Sequence, residues 1–579
     1  MEKRGALSER SKNWLVALAA NGLIAICIFA LTDLTYETND DFALSARIAD
    51  GYPYVEFFNY YLSRFLIAIQ AHAGGLNIYV VFLILISFIC FVYFTKIILD
   101  ACDSLPVRIM LLSALIIFSF DHYCAIQFTK TGALVITTGF IALTDSVINR
   151  KGVTGYIGPF LLVYTGTAIR FETLTAALGM AAVSIAAWMF TDRKMRREED
   201  WFSPRRLGTA ALVIVMIAGA YGFIELSRIQ NTGTPELKDA YEYSLVRTNI
   251  VDYPTYVYYE DNKNKYDAIG ISENDLFLID KWHLDYDGAA SLENLKKIDS
   301  IERPLPEMKI RVIGSFRKSL RYVLDGMLNR SSNGIHIIAL FILAAAMLIT
   351  LKPKRWLYVI VMGGVAFGLY VALYYTQRTN YRAFYLADLG TMLWLLYYYA
   401  VCTEREPGRS STWLAYVPAV LMLAAALMFI DPLADNCHNK FERTGSSVMS
   451  EEAEAYFNEH KDKAFVWATG EKKMSRCYND PLKAPDGSDG NVFNTGGWSA
   501  MTPYILDKLA AYGMHSPIAD LVDNDNAYYI GEKYTVRLEQ YLTKWYAGEE
   551  EEVRLEQVYT IDGNPVWKAV SVRKDQADG

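Results

Sequence analysis

Long apolar runs alternate with polar segments along this chain of 579 residues. A helix needs roughly 17–25 apolar residues to cross the hydrocarbon core of a bilayer. Runs of about this length lie at 14–32, 77–99, 106–121, 131–148, 153–169, 173–190, 207–227, 334–351, 356–375, 384–401 and 412–430. The pattern predicts a polytopic α-helical membrane protein with about eleven transmembrane helices, which make up a module over 1–430.

The first long polar segment, 33–76, follows the first apolar run. It is predicted to form a short helix over 41–50, which Gly51 ends, and a second helix over 55–72. The second helix carries apolar residues on one face, at Phe58, Leu62, Phe65 and Ile69. This spacing is typical of a helix that lies in the membrane interface.

A longer polar segment, 228–333, ends in an amphipathic stretch over 306–328. Apolar residues recur there at helical spacing and basic residues accompany them. The apolar positions are Met308, Val312, Phe316, Leu320, Leu324 and Met327. We expect this stretch also to be an interfacial helix, within a long loop of the transmembrane module.

The last segment, 431–579, is long enough to form a small domain. Helical and strand-like patterns alternate in it, so the prediction is a mixed α/β domain. Its tail, 551–573, alternates around Asp562 and Gly563, which predicts a β-hairpin.

Composition and charge restrict the classes of function. Hydrophobic residues make up 53% of the chain and charged residues only 21%. The net charge of −8 argues against a nucleic-acid partner, since no basic excess is present to neutralise phosphates. Lys and Arg concentrate in one set of short connections, about 19 against about 6, and the richer set is predicted to be cytoplasmic. The N-terminus is then inside and the C-terminal domain outside the plasma membrane.

Charged residues at the predicted outer ends of the helices are the candidates for chemistry. Charge at the edge of a bilayer is costly and usually faces a polar cavity, so we expect these side chains to converge. The candidates are Asp40, Asp41, Lys130, Arg170, Arg378 and Arg382, with Glu172 and His122 as supporting residues.

Each candidate also has a structural interpretation. Lys130 could extend to lipid headgroups, as basic residues at helix ends commonly do. Arg170 and Glu172 could pair across a tight turn. Asn39 or Asp40 could cap a helix that starts near Phe42. A helix cap needs only one residue of this type, however, and Asn39, Asp40 and Asp41 occur together here.

The residues of the first outer segment resemble a known superfamily. The match covers Thr38-Asn39-Asp40-Asp41 through Ala49-Asp50-Gly51, together with Asn59-Tyr60-Tyr61-Leu62. With the order of spans, interfacial helices and C-terminal domain, it is similar to the GT-C superfamily of integral-membrane glycosyltransferases and to multi-pass proteins of Gram-positive bacteria. The superfamily often has Asp-x-Asp or Glu-x-Asp, whereas the two acids are adjacent here.

The resemblance implies a GT-C-like fold and a sugar transfer outside the membrane. A polyprenyl-phosphate sugar would be the donor, and a cell-wall glycan, lipid or protein would accept the sugar with inversion. Asp41 or Asp40 would be the general base, with Asp41 favoured because Asp40 can cap the helix. The donor phosphate would bind Lys130, Arg170, Arg378 and Arg382. No cofactor is required, and a role for Mg²⁺ or Mn²⁺ is open.

Three other functions fit the same layout. A transporter or flippase for lipid-linked sugars would need charges and broken helices near the membrane centre. A polysaccharide polymerase or ligase would use outer-loop arginines without an acidic pair. A non-enzymatic surface protein would leave the charges at the outer ends dispensable.

Overall fold

The computed structural model describes residues 9–191, 204–252, 259–301, 308–328, 332–405, 413–430, 448–486 and 490–574. They belong to two compact units. The first unit comprises Met1–Arg228, Met308–Arg443 and Asp480–Ala484. The second unit comprises Ile229–Glu307, Thr444–Asn479 and Pro485–Gly579.

The secondary structure is mainly helical. In chain order the α-helices are α1 (Glu9–Leu31), α2 (Asn39–Ala49), α3 (Tyr60–Gln70), α4 (Ile78–Ala101), α5 (Leu105–Tyr123), α6 (Phe128–Ile148), α7 (Ile157–Ile169), α8 (Glu172–Thr191), α9 (Pro204–Asn231), α10 (Pro235–Arg247), α11 (Lys263–Ala268), α12 (Glu273–Asp280), α13 (Leu292–Asp299), α14 (Met308–Leu328), α15 (Ser332–Thr350), α16 (Pro353–Tyr375), α17 (Tyr381–Arg405), α18 (Trp413–Met428), α19 (Glu451–Glu459), α20 (Pro503–Ala510), α21 (Asp520–Asp523) and α22 (Thr535–Tyr546). The strands are β1 (Thr35–Tyr36), β2 (Ala125–Ile126), β3 (Ala464–Trp467), β4 (Val492–Asn494), β5 (Ala527–Ile530), β6 (Glu551–Ile561) and β7 (Asn564–Arg573).

Each predicted apolar run overlaps a helix. Among the described residues, 7 helices are long and apolar enough to cross a membrane, namely α1, α4, α5, α6, α8, α9 and α16. Three further runs form the shorter apolar helices α7, α15 and α18. The remaining run forms α17, which carries Arg382 and Asp388. The structure therefore confirms a polytopic helical protein, and the number of membrane crossings stays a prediction.

Helix α6 is the most enclosed of the seven long apolar helices, with 89% of its apolar window buried. Glycines let it approach α7 closely, as small residues do between membrane helices. A Cβ added to Gly166 would lie 2.4 Å from Cγ1 of Ile136. A Cβ added to Gly132 would lie 3.0 Å from Cβ of Arg170. This contact holds Arg170, the residue after α7, against the first turns of α6.

Two short strands fasten the segment after α1 to the connection between α5 and α6. Thr35 aligns with Ala125 and Tyr36 with Ile126 in a parallel ladder. Helix α2 then starts at Asn39, slightly before the predicted start. The backbone ladder thus sets the place in the first unit where the acidic pair enters the helix.

The interfacial helix predicted over 55–72 is shorter in the structure. Asn59 ends the preceding loop, because its side-chain oxygen accepts from the amide of Tyr61 at 2.9 Å and so caps α3. Phe58, predicted to lie on the apolar face, precedes the helix and is buried. Phe65 and Ile69 are exposed on α3, as an interfacial face requires.

The second unit is built on a sheet with strand order β4-β3-β5-β7-β6. Strands β3, β4 and β5 run parallel, while β7 is antiparallel to both β5 and β6. The hairpin predicted at 551–573 is present, with Asp562 at φ 53° and Gly563 at φ 80°. Positive φ at both loop residues is what a two-residue type I′ hairpin requires.

The segment 229–307 folds with this sheet. Its apolar residues, among them Ile250 and Leu276, share one core with Val466 and Leu538. The sequence predicts this segment as a loop of the transmembrane module, whereas the structure groups it with the C-terminal residues. The common apolar core accounts for the difference.

Candidate functional site at the start of helix α2

An ion pair joins the first turns of two helices. Arg382 on α17 donates from Nη1 to Oδ2 of Asp40 on α2 at 2.9 Å. Both side chains keep contact with solvent, at 25% and 21% exposure respectively. The pair is therefore charged, hydrogen-bonded and still open to a ligand.

Arg170 lies beside aromatic rings. Its guanidinium stands 5.2 Å from the ring centre of Phe57 and 5.3 Å from that of Phe128, a cation–π arrangement. Its Nε is 2.8 Å from Oε2 of Glu172. Arg170 and Glu172 thus form the pair that the structural interpretation of these residues describes, and Arg170 remains 22% exposed.

The candidate charges influence Arg170 electrostatically. Burial lowers the pKa of Arg170, and Glu172 opposes that effect. The charges of Arg382 and Arg378 lower this pKa further, whereas that of Asp40 raises it. The charges of these residues therefore act on Arg170 through space, and we refer to the five residues together as the arginine cluster.

Asp41 takes a different position from its neighbour. Its carboxylate is fully buried. Oδ1 accepts from the hydroxyl of Tyr79 at 2.8 Å and from the amide of Phe128 at 2.9 Å, and Oδ2 accepts from the hydroxyl of Thr38 at 3.1 Å. Burial raises the pKa of Asp41 to about 7, against these hydrogen bonds, and the charge of Asp40 adds to the rise.

The acidic pair is thus divided between two roles. Thr38 occupies the N-cap position of α2, so neither Asn39 nor Asp40 is the cap. Asp41 ties α2 to α4 and to the start of α6, while Asp40 faces the arginine cluster. The accessible carboxylate is that of Asp40, not that of Asp41, the residue favoured from the sequence.

Lys130 is buried inside the first unit. Its Nζ pairs with Glu37 and lies 3.6 Å from Oδ1 of Asp121. It also donates to the backbone oxygen of Asp121 at 2.8 Å. The ring centres of Tyr381 and Tyr385 lie 5.8 and 5.5 Å from Nζ. With no exposed surface on its side chain, Lys130 is placed to compensate buried carboxylates.

His122 is buried next to this group. Its Nδ1 is 3.4 Å from Oγ of Ser87, and among the described residues its Nε2 has no hydrogen-bond partner. The ring of His122 packs edge-on against Tyr385, with centroids 5.6 Å apart. His122, the supporting residue predicted for the phosphate site, therefore shares the ring of Tyr385 with Lys130.

Sequence reasoning missed the partners that complete this buried network. Nε2 of His336 lies 3.0 Å from Oδ2 of Asp121, and the hydroxyl of Tyr381 donates to the same oxygen at 3.0 Å. His336 has no ligand spacing in the sequence, and only the fold brings it to Asp121. No group of three or more His, Cys, Asp and Glu side chains is placed to hold a metal ion within the described parts of the chain.

The arginine cluster has the chemistry of an anion site with one carboxylate at its edge. Guanidinium groups bind phosphate oxygens in bidentate geometry. A carboxylate within reach of a bound substrate can accept a proton from it. No family model, curated protein or solved structure matches this chain.

Proposed function

We propose that this protein is a GT-C-like glycosyltransferase of the plasma membrane. All eleven apolar helices cross the bilayer in this proposal, with the N-terminus inside and the second unit outside. A polyprenyl-phosphate sugar is the donor, and an extracytoplasmic glycan, lipid or protein is the acceptor. The observation that carries the proposal is the solvent-accessible pair of Arg382 and Asp40, set beside Arg170 and Arg378.

The arginine cluster suits the phosphate of the donor. A polyprenyl phosphate keeps its tail in the bilayer and its charged group at the membrane edge. Arg170, Arg378 and Arg382 supply three fixed positive charges there. These charges stabilise the leaving phosphate as negative charge grows on it, which is the usual way to accelerate such a step.

Asp40 is the proposed general base. The acceptor oxygen attacks C1 of the sugar, and the bond between C1 and the phosphate oxygen breaks with its electron pair going to the phosphate. The proton of the acceptor hydroxyl passes to Asp40. Attack from the face opposite the phosphate inverts the anomeric centre.

Donor binding and base activation are coupled in this proposal. Without a donor, Arg382 holds Asp40 in an ion pair. A phosphate that binds Arg382 competes with that carboxylate for the guanidinium. The released carboxylate is then available to accept the proton of the acceptor hydroxyl. Asp41 contributes by fixing the first turn of α2.

The test is sugar transfer by the full-length protein in vesicles that contain a radiolabelled polyprenyl-phosphate sugar, with membrane extract as acceptor. Asp40→Asn should lower turnover by roughly a hundredfold or more. Asp103→Asn is the matched control, since it also removes a carboxylate that pairs with an arginine, Arg108 at 2.5 Å. The same assay with EDTA tests the divalent cation. Equal turnover in wild type and Asp40→Asn would overturn the proposed base.

A further inference from the structure

Helix α14 exposes an apolar face. Met308, Val312, Phe316, Leu320, Leu324 and Met327 are between 42% and 71% exposed. The prediction of an amphipathic helix is confirmed. The described parts of the first unit cover its apolar face only in part, where the ring of Phe316 meets that of Phe367 at 5.1 Å. A face of this kind in a membrane protein has either lipid or another protein against it.

A second side of α14 is built for close contact with the first unit. Ser315, Ser319 and Gly326 are buried. A Cβ added to Gly326 would lie 2.4 Å from Cδ1 of Ile337, on α15. Small residues on this side let the helix backbone approach its neighbours. The helix is therefore fixed in rotation about its own axis.

The contacts of α14 show where it runs. Arg311 donates to the backbone oxygen of Tyr375, the last residue of α16, at 3.1 Å. The ring of Tyr322 packs at a tilt against Phe384 in the first turn of α17, with ring centroids 4.5 Å apart. Gly326 contacts Ile337 near the start of α15. Helix α14 therefore crosses the ends of three helices. These are the ends next to Arg378 and Arg382, so α14 lies along the same rim as the arginine cluster.

A basic face completes α14. Arg317, Lys318 and Arg321 are exposed. At about 100° per residue, these three basic residues lie roughly 140° around the helix from the centre of the apolar stripe. The same side also exposes Ile310 and Leu328. The helix carries five basic residues and one acidic residue, Asp325, whose Oδ2 is 3.8 Å from Nε of Arg321. Positive charge therefore predominates on the side away from the apolar face.

We propose that α14 lies in the membrane interface and binds anionic lipid headgroups. Its apolar face enters the acyl chains, and the stems of Arg317, Lys318 and Arg321 reach up to the phosphates, as long basic side chains do at membrane surfaces. The three-faced arrangement favours lipid over a protein partner, because hydrocarbon and headgroups lie on opposite sides of an interfacial helix. This inference does not depend on the proposed sugar transfer.

The first experiment measures depth. A nitroxide is attached to Leu320→Cys or to Lys318→Cys in the full-length protein, with Cys27 and Cys437 replaced by Ser. The protein is placed in vesicles of phosphatidylcholine and phosphatidylglycerol. The label at 320 should be accessible to oxygen and shielded from a water-soluble nickel complex, and the label at 318 should show the reverse. A label at 320 that the nickel complex reaches, or that is shielded from both reagents by protein, would overturn the proposal.

The second experiment measures lipid preference. The ratio of phosphatidylglycerol to phosphatidylcholine bound to the purified protein is compared for wild type and for a triple variant, Arg317→Glu, Lys318→Glu and Arg321→Glu. The ratio should fall by roughly fivefold or more in the variant. The control reverses three exposed charges of the second unit, at Lys296, Lys297 and Arg573, and should keep the wild-type ratio. An unchanged ratio in the α14 variant, or an equal fall in the control, contradicts the proposal.

Discussion

Arg382 and Asp40 are 342 positions apart in the chain and form a hydrogen-bonded ion pair of 2.9 Å. The pair connects the first turn of α2 with the first turn of α17, so it reports the relative position of two segments that contribute to the candidate site. Because the two side chains keep 25% and 21% of their surface in solvent, a competing anion can reach the pair.

Arginine replacements test the anion site. Arg378→Ala and Arg382→Ala should each weaken binding of a polyprenyl phosphate by roughly tenfold, because each removes a charge-assisted hydrogen bond to the phosphate. Binding of the uncharged polyprenol should not change. Arg573→Ala, an exposed arginine of the second unit, serves as control. Wild-type affinity in both variants would show that these arginines anchor the helix ends and do not bind the phosphate.

Asp41 should make stability depend on pH. Its pKa is about 7 in the folded protein and 3.8 is its ordinary value, so folding favours the protonated form. The contribution of this group is fully present below about pH 4 and is lost as the pH rises through 7. Thermal unfolding of the wild type in detergent, scanned from pH 5 to 8, should show this loss, and Asp41→Asn should reduce it.

Asparagine fits the site of Asp41 in a way that alanine does not. Its oxygen can accept from Tyr79 and Phe128, and its amide nitrogen can donate to the hydroxyl of Thr38. Asp41→Asn should therefore fold normally, while Asp41→Ala leaves buried donors without an acceptor and should lower the free energy of unfolding by about 2 kcal/mol or more. Equal stability of the two variants would show that these hydrogen bonds contribute little.

We expect Lys130 to stabilise the folded protein rather than to bind the donor phosphate. Lys130→Met removes the positive charge that compensates the buried carboxylates of Glu37 and Asp121. It should lower the free energy of unfolding by roughly 3–5 kcal/mol. Adding Glu37→Gln should recover part of that loss. The control is Lys151→Met. It removes an ion pair in which Nζ of Lys151 lies 2.5 Å from Oδ2 of Asp145 and the lysine side chain is 22% exposed. A folded Lys130→Met protein that has lost affinity for polyprenyl phosphate would restore the phosphate role predicted from the sequence.

Labelling in intact cells tests the orientation. With Cys27 and Cys437 replaced by Ser, Gln557→Cys in the second unit should react with a membrane-impermeant thiol reagent. Asp103→Cys, between α4 and α5, should be protected until the cells are opened. Both positions are exposed, so a difference reports the side of the membrane. The reverse pattern would invert the proposed topology.

The helices were predictable because the length of an apolar run alone decides whether it can cross a bilayer. The roles of Asp40 and Asp41 were not, since Asp41 is buried by Tyr79 and Phe128, which are 38 and 87 positions away. The role of Lys130 likewise depends on partners that adjoin it only after α5, α6 and the segment after α1 have packed.

The place of 229–307 was hidden for a related reason. Its helices are short and amphipathic, and their periodicity shows that each has an apolar side without showing what covers it. Ile250 and Leu276 meet Val466 only in the folded second unit. Segments that complete a distant core cannot be assigned to it from local pattern alone.

The ladder between β1 and β2 limits which changes of chain length this protein can tolerate. Thr35 and Tyr36 are held in register with Ala125 and Ile126, only a few residues before the acidic pair. One residue inserted between Tyr36 and Asp40 would either displace the carboxylate by about 3.3 Å or turn the side chains of β1 to the opposite face. We expect an insertion there to be as damaging as losing the carboxylate itself, whereas an insertion at Gly51, past the end of α2, should be tolerated.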